Sequence, residues 1–328
     1  MTLVRRLTGG LLLLAFGLWT SPASAVIIYG NPVDTGRNLA SEEAIPFDLG
    51  QYVAPFAGAL GTPISATHFV TAQHTGGTPT FTFGGETFNV EFVDNRNDLA
   101  VWKISEAGKS FARWAPLYTD SAASTVGKSL VVIGRGTERG SEIKIDNVLH
   151  GWNIGGGGGE ISWGTNKVSS VFTLIPAQYP GLEGFAGDLL RFTFDAPGQG
   201  DNAGSTQSGD EGFLSGGDSG GVVFVRDADG TYKLAGVNSL TDQVNGVSGG
   251  DTAIRALFDA RGFFNGTELI GGALPVPVGS YATSISSRLD FLGQFAPVPE
   301  PSSIVLIGMA ACGGAAYGWR RRTSGFPA

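Results

Sequence analysis

From residue 26 onward, apolar residues come in short runs, many of them alternating with polar ones, and the runs are separated by Gly, Asp or Pro. A two-residue period puts every second side chain on one face of an extended strand, and the breakers stop the chain from continuing as helix. Strands are expected at Ala25–Tyr29, His68–Ala72, Thr80–Phe83, Phe88–Val93, Leu99–Ile104 and Ser129–Ile133. Further strands are expected at Ser170–Ile175, Leu189–Phe194, Gly221–Val225 and Tyr232–Asn238. Helical spacing occurs only at Thr252–Phe263 and at Ile285–Leu292, the second lying at the end of this region. With 52 glycines and only 15% charged residues in 328, the composition also favours short strands and turns over long surface helices. The pattern predicts an all-β fold, an antiparallel barrel or sandwich with a late helix.

The two ends differ from this middle. Arg5 and Arg6, the apolar run from Leu11 to Phe16 and the small residues Ala23-Ser24-Ala25 have the order of an exported leader with its cleavage site. Residues 1–25 are therefore read as a signal peptide, with Val26 as the new N-terminus. At the other end Val298-Pro299-Glu300-Pro301 precedes an apolar stretch from Ile304 to Trp319 and then Arg320-Arg321-Arg322. The stretch is somewhat shorter than the roughly 20 residues of a relaxed membrane helix, and the arginines would hold its end in the cytoplasm. This three-part tail resembles the PEP-CTERM sorting signal of Gram-negative bacteria. The resemblance implies processing by an exosortase, transient membrane anchorage by residues 297–322 and delivery to the envelope or extracellular matrix. The chain is thus divided into 1–25, 26–296 and 297–322.

Several function classes are disfavoured. The formal charge is −8 and becomes more negative once the basic ends are set aside, so nucleic acid is not an expected partner. The single cysteine, Cys312, lies in the tail and allows no intramolecular disulfide. The three histidines, His68, His74 and His150, show no zinc-ligand spacing. The glycines of 155–159 lack the Lys-Ser/Thr of a phosphate loop and read as a turn. No metal and no cofactor are expected.

Three short segments carry chemistry. In Gly217-Asp218-Ser219-Gly220-Gly221 the glycines let the backbone fold tightly around an exposed serine, with the Gly217 and Ser219 N–H groups aimed at one point. Phe69-Val70-Thr71-Ala72-Gln73-His74 puts a histidine directly after a strand, and Asn97-Asp98-Leu99-Ala100-Val101-Trp102-Lys103-Ile104 puts an aspartate directly before one. Taken singly, each has a plain structural reading as a turn or strand end. Together they resemble the His, Asp and Ser motifs of trypsin-like serine proteases, in that family's chain order.

The resemblance implies two antiparallel six-stranded β-barrels with a short C-terminal helix over residues 26–296, and an apolar helix in the tail. It implies a serine endopeptidase acting on a protein or peptide substrate, with His74 as base, Asp98 as its orienting acid (Asp94 being a nearby rival) and Ser219 as nucleophile. The oxyanion would be held by the N–H groups of Gly217 and Ser219. The substrate pocket would have Phe213 at its base and Ser239 and Gly279 on its walls. Ile27-Ile28-Tyr29-Gly30 is similar to the mature start of such enzymes, which implies either a freed amine paired with Asp218 or a plain first edge strand. The chain departs from the family pattern at Thr75 and Ser215, where cysteines are absent, and at Val222. It also has only 24 residues between His74 and Asp98 and an insertion at about 242–278. A silent surface-binding module and an acyl ester hydrolase are the competing readings.

Overall fold

The computed structural model describes residues 26–30, 38–40, 44–200, 209–246 and 252–296. The expected signal peptide and tail helix lie outside the described residues, as does most of the polar segment before Glu211. Among the described residues no helix is long and apolar enough to cross a membrane.

Two short strands, β1 (Ile27–Ile28) and β2 (Asn38–Leu39), precede the first barrel. That barrel is built from β3 (Ala54–Phe56), β4 (Ala59–Pro63), β5 (His68–Ala72), β6 (Thr80–Phe83), β7 (Glu86–Arg96) and β8 (Leu99–Ile104). Their order is β3-β4-β5-β8-β7-β6, and β6 returns to lie against β3. Two-residue turns in the left-handed region join β3 to β4 at Ala57-Gly58 and β6 to β7 at Gly84-Gly85. Such turns match the right-handed twist of the flanking strands. Alternation along β6 sends Phe81 and Phe83 inward, where they meet Phe56, Phe69, Phe88 and Phe111 in an aromatic core.

The second barrel starts with β9 (Ser129–Gly134). A hairpin of β10 (Arg139–Ile145) and β11 (Val148–Ile154) follows, then β12 (Ser162–Lys167), β13 (Ser170–Leu174) and β14 (Gly187–Thr193). After β15 (Gly212–Phe213) come β16 (Val222–Arg226) and the long β17 (Tyr232–Thr241). The insertion supplies β18 (Gln243–Asn245), β19 (Thr252–Leu257), β20 (Phe264–Asn265) and β21 (Glu268–Leu269). The last strand is β22 (Gly279–Ser284), and the single turn α1 (Leu289–Leu292) follows it.

The sheet runs β14-β22-β17-β16-β9-β12, and β12 closes on β14, where the Asn166 side chain donates to the Thr193 carbonyl at 2.8 Å. Counted within each barrel, both follow one order: first, second, third, sixth, fifth, fourth. This repeated topology makes the chain a chymotrypsin-type double barrel.

The barrels share an apolar interface. Val70, Leu99 and Val101 of the first pack with Ile133, Val222 and Val237 of the second. Phe291 and Leu292 of α1 enter the same cluster, and Arg96 of β7 lies over the Phe291 ring at 5.1 Å. Both barrels are thereby fixed relative to each other at their seam.

Two expectations need correction. Thr252–Phe263 is not a helix: its first half is β19, whose Ala256 and Leu257 pair with Trp152 and Gly151 of β11. The spacing of its apolar residues fits either period, and pairing with β11 and β18 decides for the strand. The late helix is also shorter than Ile285–Leu292, with a 3₁₀ turn at Ser286–Arg288 leading into α1. The β10–β11 hairpin was not among the expected strands, because its charged, solvent-facing residues hide the alternation. Asp146 and Asn147 form its left-handed turn. The glycines at 155–159 pass directly over the backbone of Gly136, where a Cβ on Gly158 would stand 2.4 Å from a carbonyl oxygen.

Candidate active site

The seam between the barrels collects the three sequence motifs. His74 sits in the 3₁₀ turn that ends β5, Asp98 in the turn between β7 and β8, and Ser219 in the turn between β15 and β16. The ladder between β5 and β8, with Ala72 opposite Leu99, brings the first two together. The Gln73 N–H donates to the Asp98 carbonyl at 2.7 Å and the His74 N–H to Asp98 Oδ1 at 3.1 Å. The histidine backbone is therefore tied to the aspartate before the side chains meet.

His74 Nδ1 lies 2.7 Å from Asp98 Oδ1, and His74 Nε2 lies 2.7 Å from Ser219 Oγ. A carboxylate accepts but cannot donate, so the proton sits on Nδ1 and leaves Nε2 to accept from the serine hydroxyl. Asp98 is 3% exposed while His74 is 36% exposed. The acid is enclosed and the imidazole faces the cleft, with Phe185 packed 5.4 Å from its ring. Asp94 is exposed in β7 and accepts the N–H of Asn95, so it takes no part.

The second oxygen of Asp98 has a partner that the sequence pattern did not assign. Ser239 Oγ of β17 donates to Asp98 Oδ2 at 2.7 Å. Ser239 also lines the cleft, as expected, but its hydroxyl is directed at the acid. Asn97, at φ 53°, donates from its side chain to the Ala186 carbonyl at 2.7 Å. The guanidinium of Arg288 reaches the same carbonyl at 2.8 Å. Burial pushes the Arg288 pKa down to about 10, against the pull of Asp188 and Asp98.

The serine turn is shaped by glycine. Gly217 and Gly220 have φ of 95° and 76°, and a Cβ on Gly220 would stand 2.6 Å from the Thr71 hydroxyl of β5. The N–H groups of Asp218, Gly220 and Gly221 donate to Ser215, Asn238 and Asp218 carbonyls. Among the described residues no acceptor meets the N–H of Gly217 or of Ser219. Such a pair can hold an anionic oxygen beside the serine.

Asp218 is 1% exposed. Burial raises its pKa to about 6, opposed by hydrogen bonds from the Ser215 and Gly136 backbone and the Ser215 hydroxyl. Gly136 N donates to Oδ1 at 2.7 Å, and Ser215 N and Oγ donate to Oδ2 at 2.7 and 2.9 Å. These donors fill the role expected of a freed amine. Ile27 and Ile28 instead pair with Phe213 and Gly212, and Val26 is wholly buried in the second barrel's core. Ile27–Ile28 thus form a short strand bound to β15.

A cleft of about 120 Å³ opens beside Ser219, lined by Leu214–Gly216, Ser239–Thr241, Gln243 and Ile254. Two expected pocket residues are absent from it. Phe213 is 0% exposed and packs against Phe194 under the second barrel, because its pairing with Ile27 turns it into that apolar cluster. Gly279 lies by Arg191 and Asp242, whose carboxylate accepts its N–H at 2.7 Å. Gln243 and Ile254 could not be found by motif, since they come from the insertion. Among the described residues no His, Cys, Asp and Glu cluster could hold a metal ion.

Residues 297–322 match the family model described as the PEP-CTERM protein-sorting motif. No curated protein sequence matches the chain. Among solved structures it is similar to the Rv3671c protease in its inactive form, with 14% identity over 82% of this chain and 98% of that one and a TM-score of 0.41. It is also similar to the active form of that protease from M. tuberculosis, with 16% identity over 71% of each chain and a TM-score of 0.38. By its own strand order and that terminal match, the chain is a chymotrypsin-type double barrel followed by a PEP-CTERM sorting motif.

Proposed function

We propose that the chain is an exported serine endopeptidase. The observation that carries this reading is the unbroken hydrogen-bond chain from Ser219 Oγ through both His74 nitrogens to Asp98. Ser219 Oγ attacks a peptide carbonyl while His74 Nε2 takes its proton. The carbonyl oxygen becomes an oxyanion between the N–H groups of Gly217 and Ser219, a contribution of roughly 3 kcal/mol per donor. His74 then gives the proton to the leaving amine, the C–N bond breaks and an acyl-enzyme remains. Water, deprotonated by the same imidazole, releases the acid and restores Ser219. Asp98 orients the imidazole and stabilises its charged form.

The PEP-CTERM motif supports export to the cell envelope. Signal peptidase would act after Ala25, and an exosortase at the tail, leaving residues 26–296 as the working domain.

Labelling with a fluorophosphonate tests the nucleophile. Wild type is expected to label and Ser219→Ala is not; an unlabelled wild type would return the chain to a silent binding module. Comparing peptide and simple ester hydrolysis by unlabelled protein from a preparation that is competent to label separates a protease from an ester hydrolase.

A further inference from the structure

We infer that the cleft beside Ser219 accepts a small, uncharged aliphatic residue immediately before the cleaved bond; this rests on the protease reading above. Three features of the cleft converge on that class.

The first is size. The cleft measures about 120 Å³, below the roughly 150 Å³ of a cavity that takes a benzene ring. That volume favours Ala or Val over an aromatic side chain.

The second is the wall that the insertion contributes. Gln243 of β18 and Ile254 of β19 are directly paired across their ladder and both face the cleft. Gln243 follows Thr241 after a single residue, so the cleft edge formed by β17 continues directly into β18. The wall is anchored from behind: β19 pairs with β11, and Arg255 Nη1 donates to the Val244 carbonyl at 2.7 Å. A wall held on both sides yields less than a free loop.

The third is charge. Asp218 is the one ionisable residue lining the cleft among the described residues, and its oxygens are taken by Gly136 and Ser215. Asp242, just beyond, accepts from Tyr281 at 2.8 Å, from the Gly279 N–H at 2.7 Å and from Arg191 at 3.3 Å. An Asp or Glu side chain would meet no cation beside Asp218, a Lys or Arg would find both nearby carboxylates already hydrogen-bonded, and a charge left unpaired in such a site is strongly disfavoured. The hydroxyls of Ser215 and Ser239 are committed to Asp218 and Asp98. What the cleft offers its occupant is chiefly Leu240 and Ile254, since Leu214 is buried in the second barrel's core.

The experiment uses the processed protein, its active fraction fixed by fluorophosphonate titration, on quenched peptides that differ only at the residue before the cleaved bond. The kcat/KM for Ala or Val is expected to exceed that for Phe, Lys or Glu by at least about tenfold. In Gln243→Gly the Phe-to-Ala ratio is expected to rise about tenfold, and Ile254→Ala provides a second opening should the first variant fail to label. A titratable wild type that cleaves after Phe or Lys as readily as after Ala overturns the size and charge argument while leaving the protease reading intact. Labelling variants with an unchanged Phe-to-Ala ratio overturn the role of this wall. A wild type that does not label defeats the protease reading itself.

Discussion

Ser239 Oγ and Asp98 Oδ2 are 2.7 Å apart, so a hydroxyl from the second barrel closes the coordination of a carboxylate from the first. His74 holds the other oxygen at the same distance. The acid is thus gripped from both sides of the seam, and its orientation depends on how the barrels dock.

Ser239→Ala leaves one buried carboxylate oxygen without a partner, a loss of about 1–3 kcal/mol. On the proposed mechanism kcat is expected to fall roughly 10- to 100-fold with little change in KM. Steady-state kinetics on a peptide cleaved by wild type would read this, and an unchanged kcat would dismiss the contact as structural.

Gly220→Ala strikes the same seam from the serine side. The added Cβ would meet the Thr71 hydroxyl at 2.6 Å and the Leu60 carbonyl at 3.1 Å, at a positive φ that disfavours side chains. Overpacking of this kind costs about 1–3 kcal/mol. Urea unfolding should record that loss, and fluorophosphonate labelling should slow as Ser219 is displaced.

Arg288 ties the end of the second barrel to the loop beside His74. Its guanidinium donates to the carbonyls of Ala186, Asp188 and Ser284 at 2.8–3.0 Å; Arg288→Met removes all three bonds, while Asn97 still donates to Ala186 and Ser287 Oγ to Ser284. A destabilisation of about 3 kcal/mol is expected in denaturant unfolding. Since Ala186 is also bound by Asn97 next to Asp98, slower turnover is expected under folding conditions.

Asp218 sets a pH dependence of stability. Its pKa is raised by burial from 3.8 to about 6, so the folded chain binds the proton more tightly than the unfolded one. That contribution is fully present below about pH 4 and is lost as pH rises through about 6, a change on the order of 3 kcal/mol. Asp218→Asn lacks it. The stability of wild type relative to this variant is therefore expected to decline between pH 4 and pH 7, and a flat difference would contradict the assignment.

Much of this molecule is legible along the chain. Alternating apolar runs cut by breakers announce strands, and β5, β6 and β8 lie at the residues where the pattern puts them. The His, Asp and Ser motifs are legible for the same reason: each is local, a candidate functional residue fixed by the strand or turn beside it. The β10–β11 hairpin was less visible because solvent-facing charge conceals its alternation. Thr252–Phe263 was misread because its spacing fits two periods, and only pairing with β11 and β18 chooses between them.

What the sequence determined by itself is the all-β character, the motif residues and the sorting signal at residues 297–322, all of them set by short stretches of chain. Tertiary structure alone decided the rest. It turned Phe213 into a core and Gly279 toward Asp242, and it brought Gln243 and Ile254 into the lining of the cleft. It also placed Ser239 against Asp98, 141 residues away along the chain. These contacts join segments whose separation is set by how two barrels close and dock, and no local pattern encodes that geometry.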